Sequence, residues 1–309
     1  MKHTFLVFLC LTLLFSANVY AQQNDNEKVS FKKLDDEDSQ ENGPDLALLL
    51  NQIGLNLSDQ RNYAKAEEYY IRCLNICEKL VDENPRTYNY LLAMLLNNLG
   101  VNYREQNNYE KAEECYIRCL EIRESLAMED PDTHNSGLAL ILNNIGIYCS
   151  GQNDHIKANE YYVRSLNIYN KLIKEDPEIY ALDLAKLLFN LGLNYNLQSN
   201  YTEAEKHYLK SLEIYKNLAN RNSKVYNPDL ARVLNNIGNN YSQQGNYTKA
   251  EVYYIRCLDI YKKLAYENPY VYNPALAVIL GNLSINYSNQ DNPAKAEMYR
   301  MMSLEVGGM

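Results

Sequence analysis

From about residue 44 onward, apolar residues recur at helical spacing in two alternating kinds of segment. The first kind reads LAMLLNNLGVNY (92–103), the second YEKAEECYIRCLEIRESL (109–126), and a short polar link, REQNN (104–108), joins them. In the first, Ala93, Leu96, Leu99, Gly100 and Tyr103 share one helix face. The pattern returns without insertion or deletion. Asn62-Tyr63, Asn108-Tyr109, Asp154-His155, Asn200-Tyr201, Asn246-Tyr247 and Asn292-Pro293 each begin 46 residues after the last.

Asn-Pro or Asp-Pro punctuates the repeats at Asn84-Pro85, Asp130-Pro131, Asp176-Pro177 and Asn268-Pro269. A residue before proline is pushed out of the α region, so each second helix is expected to stop there. Pro44, Pro228 and Pro274 occupy another matched position, expected in the first turn of the following helix. The pattern predicts an all-α protein of six helix–turn–helix units stacked as a solenoid. Its repeats fall at about 45–84, 85–130, 131–176, 177–222, 223–268 and 269–306.

These units resemble tetratricopeptide repeats, and among them the longer repeats of kinesin light chains. The family motif appears in the second repeat as Leu96, Leu99, Gly100, Tyr103, Ala112, Tyr116 and Cys119, and in the fifth as Leu234, Ile237, Gly238, Tyr241, Ala250, Tyr254 and Cys257. The alanine, present in all six repeats from Ala66 to Ala296, is expected to let two helices approach closely, and the glycine to do the same on the first helix. The resemblance implies a right-handed α-solenoid that binds other proteins and is not an enzyme. The chain departs from the motif in several ways. Its period exceeds the family's usual ~34 residues, so helices or links must be longer. Leucine replaces the family tryptophan, and Cys or Ser its final alanine. In the sixth repeat Ser284 replaces the glycine and Arg300 the second aromatic. The sequence stops at Gly307-Gly308-Met309 with no separate polar capping helix, so either Arg300 and its neighbours blunt that end or the final face pairs with something.

Asparagine is a poor helix former, yet LLNNLG, ILNNIG and VLNNIG place two amides inside apolar runs. At 100° per residue, Asn98 lies roughly opposite the core face and Asn97 on its flank. Asn98 has counterparts at Asn144, Asn190, Asn236 and Asn282, with Gln52 at the start. Asn97 is replaced by Phe189 and Gly281 in other repeats and reads as tolerant. The ladder resembles the one inside the superhelix of O-linked N-acetylglucosamine transferase. That likeness implies a concave groove whose amides hold an extended peptide backbone, since an amide both donates and accepts. Beside it run Met94, Leu140 and Val278, then Val101, Ile147, Leu193 and Ile285, as apolar surface, while Lys186 and Arg232 supply cations for a carboxylate. An equally weighted alternative is that the amides only tie neighbouring repeats together. The recurring glutamines, from Gln60 to Gln290, fit a cap at the end of each first helix.

Composition narrows the partner. A net charge of −9 and a pI near 5.1 argue against a nucleic-acid binder, which leaves a protein or peptide. Phe5–Phe15 is an apolar run of eleven ahead of SANVYA, which reads as a secretory signal sequence cleaved after Ala21. Eleven residues are too few to span a bilayer, so no stable membrane anchor is expected. Residues 22–44 are polar, acidic and unpatterned, a flexible leader. Six N-glycosylation patterns, at Asn56, Asn200, Asn240, Asn246, Asn282 and Asn286, lie partly on helix faces a glycan would obstruct; this points to a bacterial periplasm or exterior.

Cys73, Cys119 and Cys257 share a repeat position with Ser165, Ser211 and Ser303, which reads as a small-residue packing slot holding buried thiols. The pairs Cys73/Cys77 and Cys115/Cys119 make half a zinc site that no histidine completes, so no metal or other cofactor is expected. No phosphate-binding glycine loop, HExxH or nucleophile elbow occurs. The sequence therefore reads as an exported scaffold that binds a peptide or protein segment. The alternative is a structural subunit assembling through its terminal repeat and outer face.

Overall fold

A computed structural model describes residues 43–308. The expected signal sequence and all but the end of the leader lie outside the described residues. The first helices of the repeats are α1 (Gly43–Asp59), α3 (Pro85–Glu105), α5 (Pro131–Gly151), α7 (Pro177–Leu197), α9 (Ser223–Gln243) and α11 (Pro269–Ser288). The second helices are α2 (Tyr63–Glu83), α4 (Tyr109–Glu129), α6 (His155–Glu175), α8 (Tyr201–Arg221), α10 (Tyr247–Glu267) and α12 (Pro293–Gly307). Among the described residues there is no strand. The inner helices are 21 residues long, so helix length, not the links, carries the period beyond the family's usual ~34.

One residue separates each second helix from the next first helix, and it caps both. The Asn84 backbone N–H reaches Leu80 O to close α2, while its side chain accepts from Thr87 N at 3.2 Å to open α3. Asp130 does the same between Leu126 O and Thr133 N. Asn and Asp serve here because their short carbonyl side chain can satisfy an orphan N–H of the first turn. A helix that starts at this cap corrects the expectation for two prolines. Pro228 and Pro274 lie inside α9 and α11, not in their first turn, and each forgoes one helix hydrogen bond.

The turns inside the repeats share one device. Arg61, Asn107, Asn153, Ser199, Gly245 and Asp291, all at one repeat position, adopt positive φ between 54° and 74°. The residue after each opens the second helix, and Asn108 accepts from Lys111 N at 3.4 Å. Two of the glutamines cap the first-helix end as the sequence predicts, whereas Gln106 and Gln290 reach a carboxylate of the preceding repeat. Gln198 and Gln244 donate back to the carbonyls of Asn194 and Asn240, both at 3.0 Å, and Gln106 donates to Glu67 at 3.0 Å.

The described residues form two compact units: 43–152 with 163–168, and 153–162 with 169–308. In the first, α2 packs on α3 and α4 on α5; in the second, α8 packs on α9 and α10 on α11. Four of the repeats are locked internally by a glycine facing an aromatic ring. A Cβ on Gly100 would stand 2.6 Å from Tyr116 Cε1, and Gly54, Gly192 and Gly238 face Tyr70, Tyr208 and Tyr254 as closely. The two departures in the sixth repeat are thus one change. With Arg300 in place of the ring, Ser284 fits, and its hydroxyl donates to Ala296 O at 2.7 Å. The Cys/Ser position is more than a packing slot. Cys73, Cys119 and Cys257 donate to the carbonyls of Ala47, Ala93 and Ala231 at 3.1 Å, and Ser165, Ser211 and Ser303 make the same bond at 2.7 to 2.8 Å. In all six repeats the position holds a small side chain with a donor, which the family's alanine would lack.

Candidate functional site

The amide row sits on the first helices. Asn98 donates to Asn51 Oδ1 at 2.9 Å and Asn144 to Asn97 Oδ1 at 2.7 Å in the first unit; Asn282 donates to Asn235 Oδ1 at 2.8 Å in the second. Each of these bonds joins the second amide of one repeat to the first amide of the repeat before it. All three donors are half-buried, as is Asn190. The position of Asn97, read from sequence as a tolerant flank, therefore supplies the acceptor.

The fifth repeat departs from this arrangement for a visible reason. Its predecessor carries Phe189 where an acceptor amide would be, so Asn236 turns back and donates to Arg232 O of its own helix at 2.9 Å. Arg232 lies over the Phe189 ring at 4.6 Å and pairs with Asp229 at 2.8 Å. A cation–π contact thus stands in for the amide tie. Arg232 is engaged inside the fold, while Lys186 is exposed and only 3.9 Å from Asp183. Of the two cations named from sequence, Lys186 is the accessible one. Met94, Val101 and Ile147 are half-buried beside the row, and Leu140 and Ile285 are exposed.

A second, deeper row escaped the sequence reading. Asn102, Asn194, Asn240 and Asn286 are fully buried, and each donates to the first carbonyl of the preceding second helix. The partners are Tyr63, His155, Tyr201 and Tyr247, at 2.9 to 3.1 Å. Tyr148 does this with its hydroxyl to Tyr109 O at 3.2 Å. The available signal was the Asn-Tyr pair that recurs at the end of the first segment in the second, fourth, fifth and sixth repeats. Asn240 and Asn286 are also glycosylation patterns, and a glycan at a completely buried amide is incompatible with the packed repeat.

Between them the two rows divide the work. The buried row satisfies carbonyls in the junctions, where an unmet polar group would be costly. In the half-buried row Asn144, Asn236 and Asn282 each donate one internal bond, Asn98 donates to Asn51 and accepts from Asn97, and the row still faces solvent in part. The six described cysteines are buried and free, and burial pushes the Cys115 and Cys119 thiols up to about 12, which keeps both protonated at neutral pH. Among the described residues no group of three or more His, Cys, Asp or Glu is placed to hold a metal, and no helix is long and apolar enough to cross a membrane.

Comparison with known proteins bears on the same geometry. A family profile described as tetratricopeptide repeat matches residues 45–125, 91–171, 183–263 and 229–306. The fold is similar to the crystal structure of BtubC (BKLC) from P. vanneervenii, at 20% identity and TM-score 0.66, over 80% of this chain and 91% of that one. It is also similar to the apo form of RapI, at 18% identity and TM-score 0.60, over 99% and 97% of the two chains. A putative kinesin light chain from Podospora anserina aligns at 12% identity and TM-score 0.56, over 70% and 96%. No curated protein matches the sequence.

Proposed function

We propose, from the premise that the chain belongs to the tetratricopeptide repeat family, that it is a non-enzymatic scaffold holding an extended peptide or protein segment against its first helices. The observation that carries the reading is the half-buried amide row of Asn98, Asn144, Asn190, Asn236 and Asn282. A primary amide offers two N–H donors and two acceptor lone pairs. One internal bond, such as Asn144 to Asn97, fixes the plane of the amide and leaves the other capacity for a peptide group. A pre-oriented amide loses less side-chain entropy on binding than a free one. Met94, Val101 and Ile147 add apolar surface beside the row, and exposed Lys186 suits an acidic side chain or a terminal carboxylate. Arg232 contributes by holding Phe189 and Asn236 in place. The apolar run Phe5–Phe15 supports export, with cleavage after Ala21, to a periplasm or exterior.

Selection of unbiased twelve-residue peptides on the full-length chain tests this reading. Enriched peptides are then measured against a variant with Asn98, Asn144 and Asn236 changed to Ala, with helicity checked by circular dichroism. Binding weakened tenfold or more in a folded variant supports the row as the site; unchanged affinity excludes it. A second reading, an assembly subunit, is favoured by exposed Met298, Met301 and Leu304 on the terminal repeat.

A further inference from the structure

Because the repeat keeps one period, each position of the first and last repeats can be compared with its aligned positions inside the array. Leu49 on α1 is 37% exposed, whereas the aligned Leu95, Leu187 and Val233 are 0% exposed. Leu304 on α12 is 59% exposed, whereas the aligned Leu212 and Leu258 are 4% and 2% exposed and the aligned Leu74, Leu120 and Leu166 are half-buried. Inside the units these positions are covered where a second helix packs on the first helix of the following repeat, as α8 does on α9 and α10 on α11. The face on α12 is the one a following first helix covers, and the face on α1 is the one a preceding second helix covers. They are the two halves of one junction, presented by the first and last of the six repeats.

Polar partners are in register as well. Asn286 donates to Tyr247 O at 3.0 Å and Gln290 to Glu251 at 3.3 Å. Advanced by one period, the acceptors are the Pro293 carbonyl and the Glu297 carboxylate, both on α12. The donors that would meet them occupy the aligned positions of the first repeat, Asn56 and Gln60. Gln106 shows that this glutamine reaches such a carboxylate, since it bonds Glu67 at 3.0 Å.

We propose that copies of this chain associate head to tail, the first repeat of one molecule stacking on the last repeat of the next and burying Leu49 against the face that carries Leu304. The contact joins different surfaces, so it does not close on itself and builds linear chains. It lacks the amide tie, because Gln52 of the incoming copy would meet Gly281, which has no side chain to accept. Molecules of net charge −9 also repel. The association is therefore weaker than an inner junction, depends on concentration and strengthens with added salt. It is independent of the amide row on the first helices.

Sedimentation velocity of the full-length chain, from low micromolar to near millimolar, reads it directly. The weight-average mass is expected to rise with concentration. Leu49→Glu and Leu304→Glu alter exposed side chains, so both variants are expected to fold, and each alone is expected to remain monomeric. An equimolar mixture of the two restores one intact junction, because one variant supplies Leu304 and the other Leu49. It is expected to form dimers and nothing larger. A monomeric wild type over the whole range, a single variant that still associates, or a mixture that stays monomeric would each overturn the proposal. Peptide binding by the two variants is expected to match wild type, which separates this junction from the amide row.

Discussion

The side-chain amide of Asn144 on α5 donates to Oδ1 of Asn97 on α3 at 2.7 Å. Asn97 in turn stands 3.4 Å from Asn98 Oδ1, and Asn98 donates to Asn51 at 2.9 Å. The three first helices of the first unit, α1, α3 and α5, are therefore connected along one edge by amides that polarise one another. Any ligand that uses the row meets groups whose orientation is already set.

Asn97→Ala removes the acceptor and leaves a half-buried N–H on Asn144 without it. The expected loss is about 1 kcal/mol of unfolding free energy. In a double-mutant cycle with Asn144→Ala the two losses should fail to add, with a coupling energy of about 1 kcal/mol. Urea denaturation of the four proteins measures it, and strict additivity would show that the contact contributes nothing.

Cys119 donates to Ala93 O in the buried heart of the second repeat, and Ser165 does so to Ala139 O in the third. Cys119→Ser keeps a donor and should shift stability by well under 1 kcal/mol, whereas Ser165→Ala should lower it by about 1 kcal/mol or more. Thermal or urea unfolding separates the two substitutions. If Ser165→Ala were neutral, the position would be a packing slot and no more.

The helix limits were legible because Asn84 and Asp130 combine a cap with a following proline, two local signals that agree. The amide row was legible because a helix wheel needs only spacing. Which amide served as acceptor was not, since Asn51, Asn97 and Asn235 meet donors 47 residues away and a wheel of one helix is blind to the next repeat. The same blindness hid Asn102 and its counterparts, whose partners lie 39 residues earlier. Pro228 misled because proline favours a first turn, while the cap at Asn222 had already started the helix. Gly238 with Tyr254, against Ser284 with Arg300, could have been read as one paired change had the two positions been compared together.

Gly100 faces Tyr116 so closely that an added methyl would sit 2.6 Å from a ring carbon. The ring is buried on all sides and cannot withdraw, so Gly100→Ala should destabilise by about 1–3 kcal/mol. Tyr116→Leu leaves space at that point at its own cost, and the double variant should be more stable than the sum of the two losses implies. A cycle without such favourable coupling would mean that the strain is relieved elsewhere. Calorimetry on the three variants decides it.

His207 stacks on Tyr195 with ring centroids 5.5 Å apart, at a position that holds tyrosine in the first, third, fifth and sixth repeats. Burial, with Lys206 and Lys210 nearby, lowers its pKa to about 4, while Glu203 at 3.8 Å opposes the shift only weakly. The unfolded imidazole protonates near the ordinary 6.5, so at lower pH the unfolded state takes up the proton first. The neutral buried ring is without penalty above 6.5, and stability falls as pH drops from there towards 4. The full effect is on the order of 3 kcal/mol. His207→Tyr, the residue its counterparts use, removes this titration and restores an aromatic stack. Urea midpoints of the two proteins should diverge progressively as pH falls from 6.5 towards 4, with the variant losing less. Parallel pH profiles would show that His207 titrates normally in the folded protein.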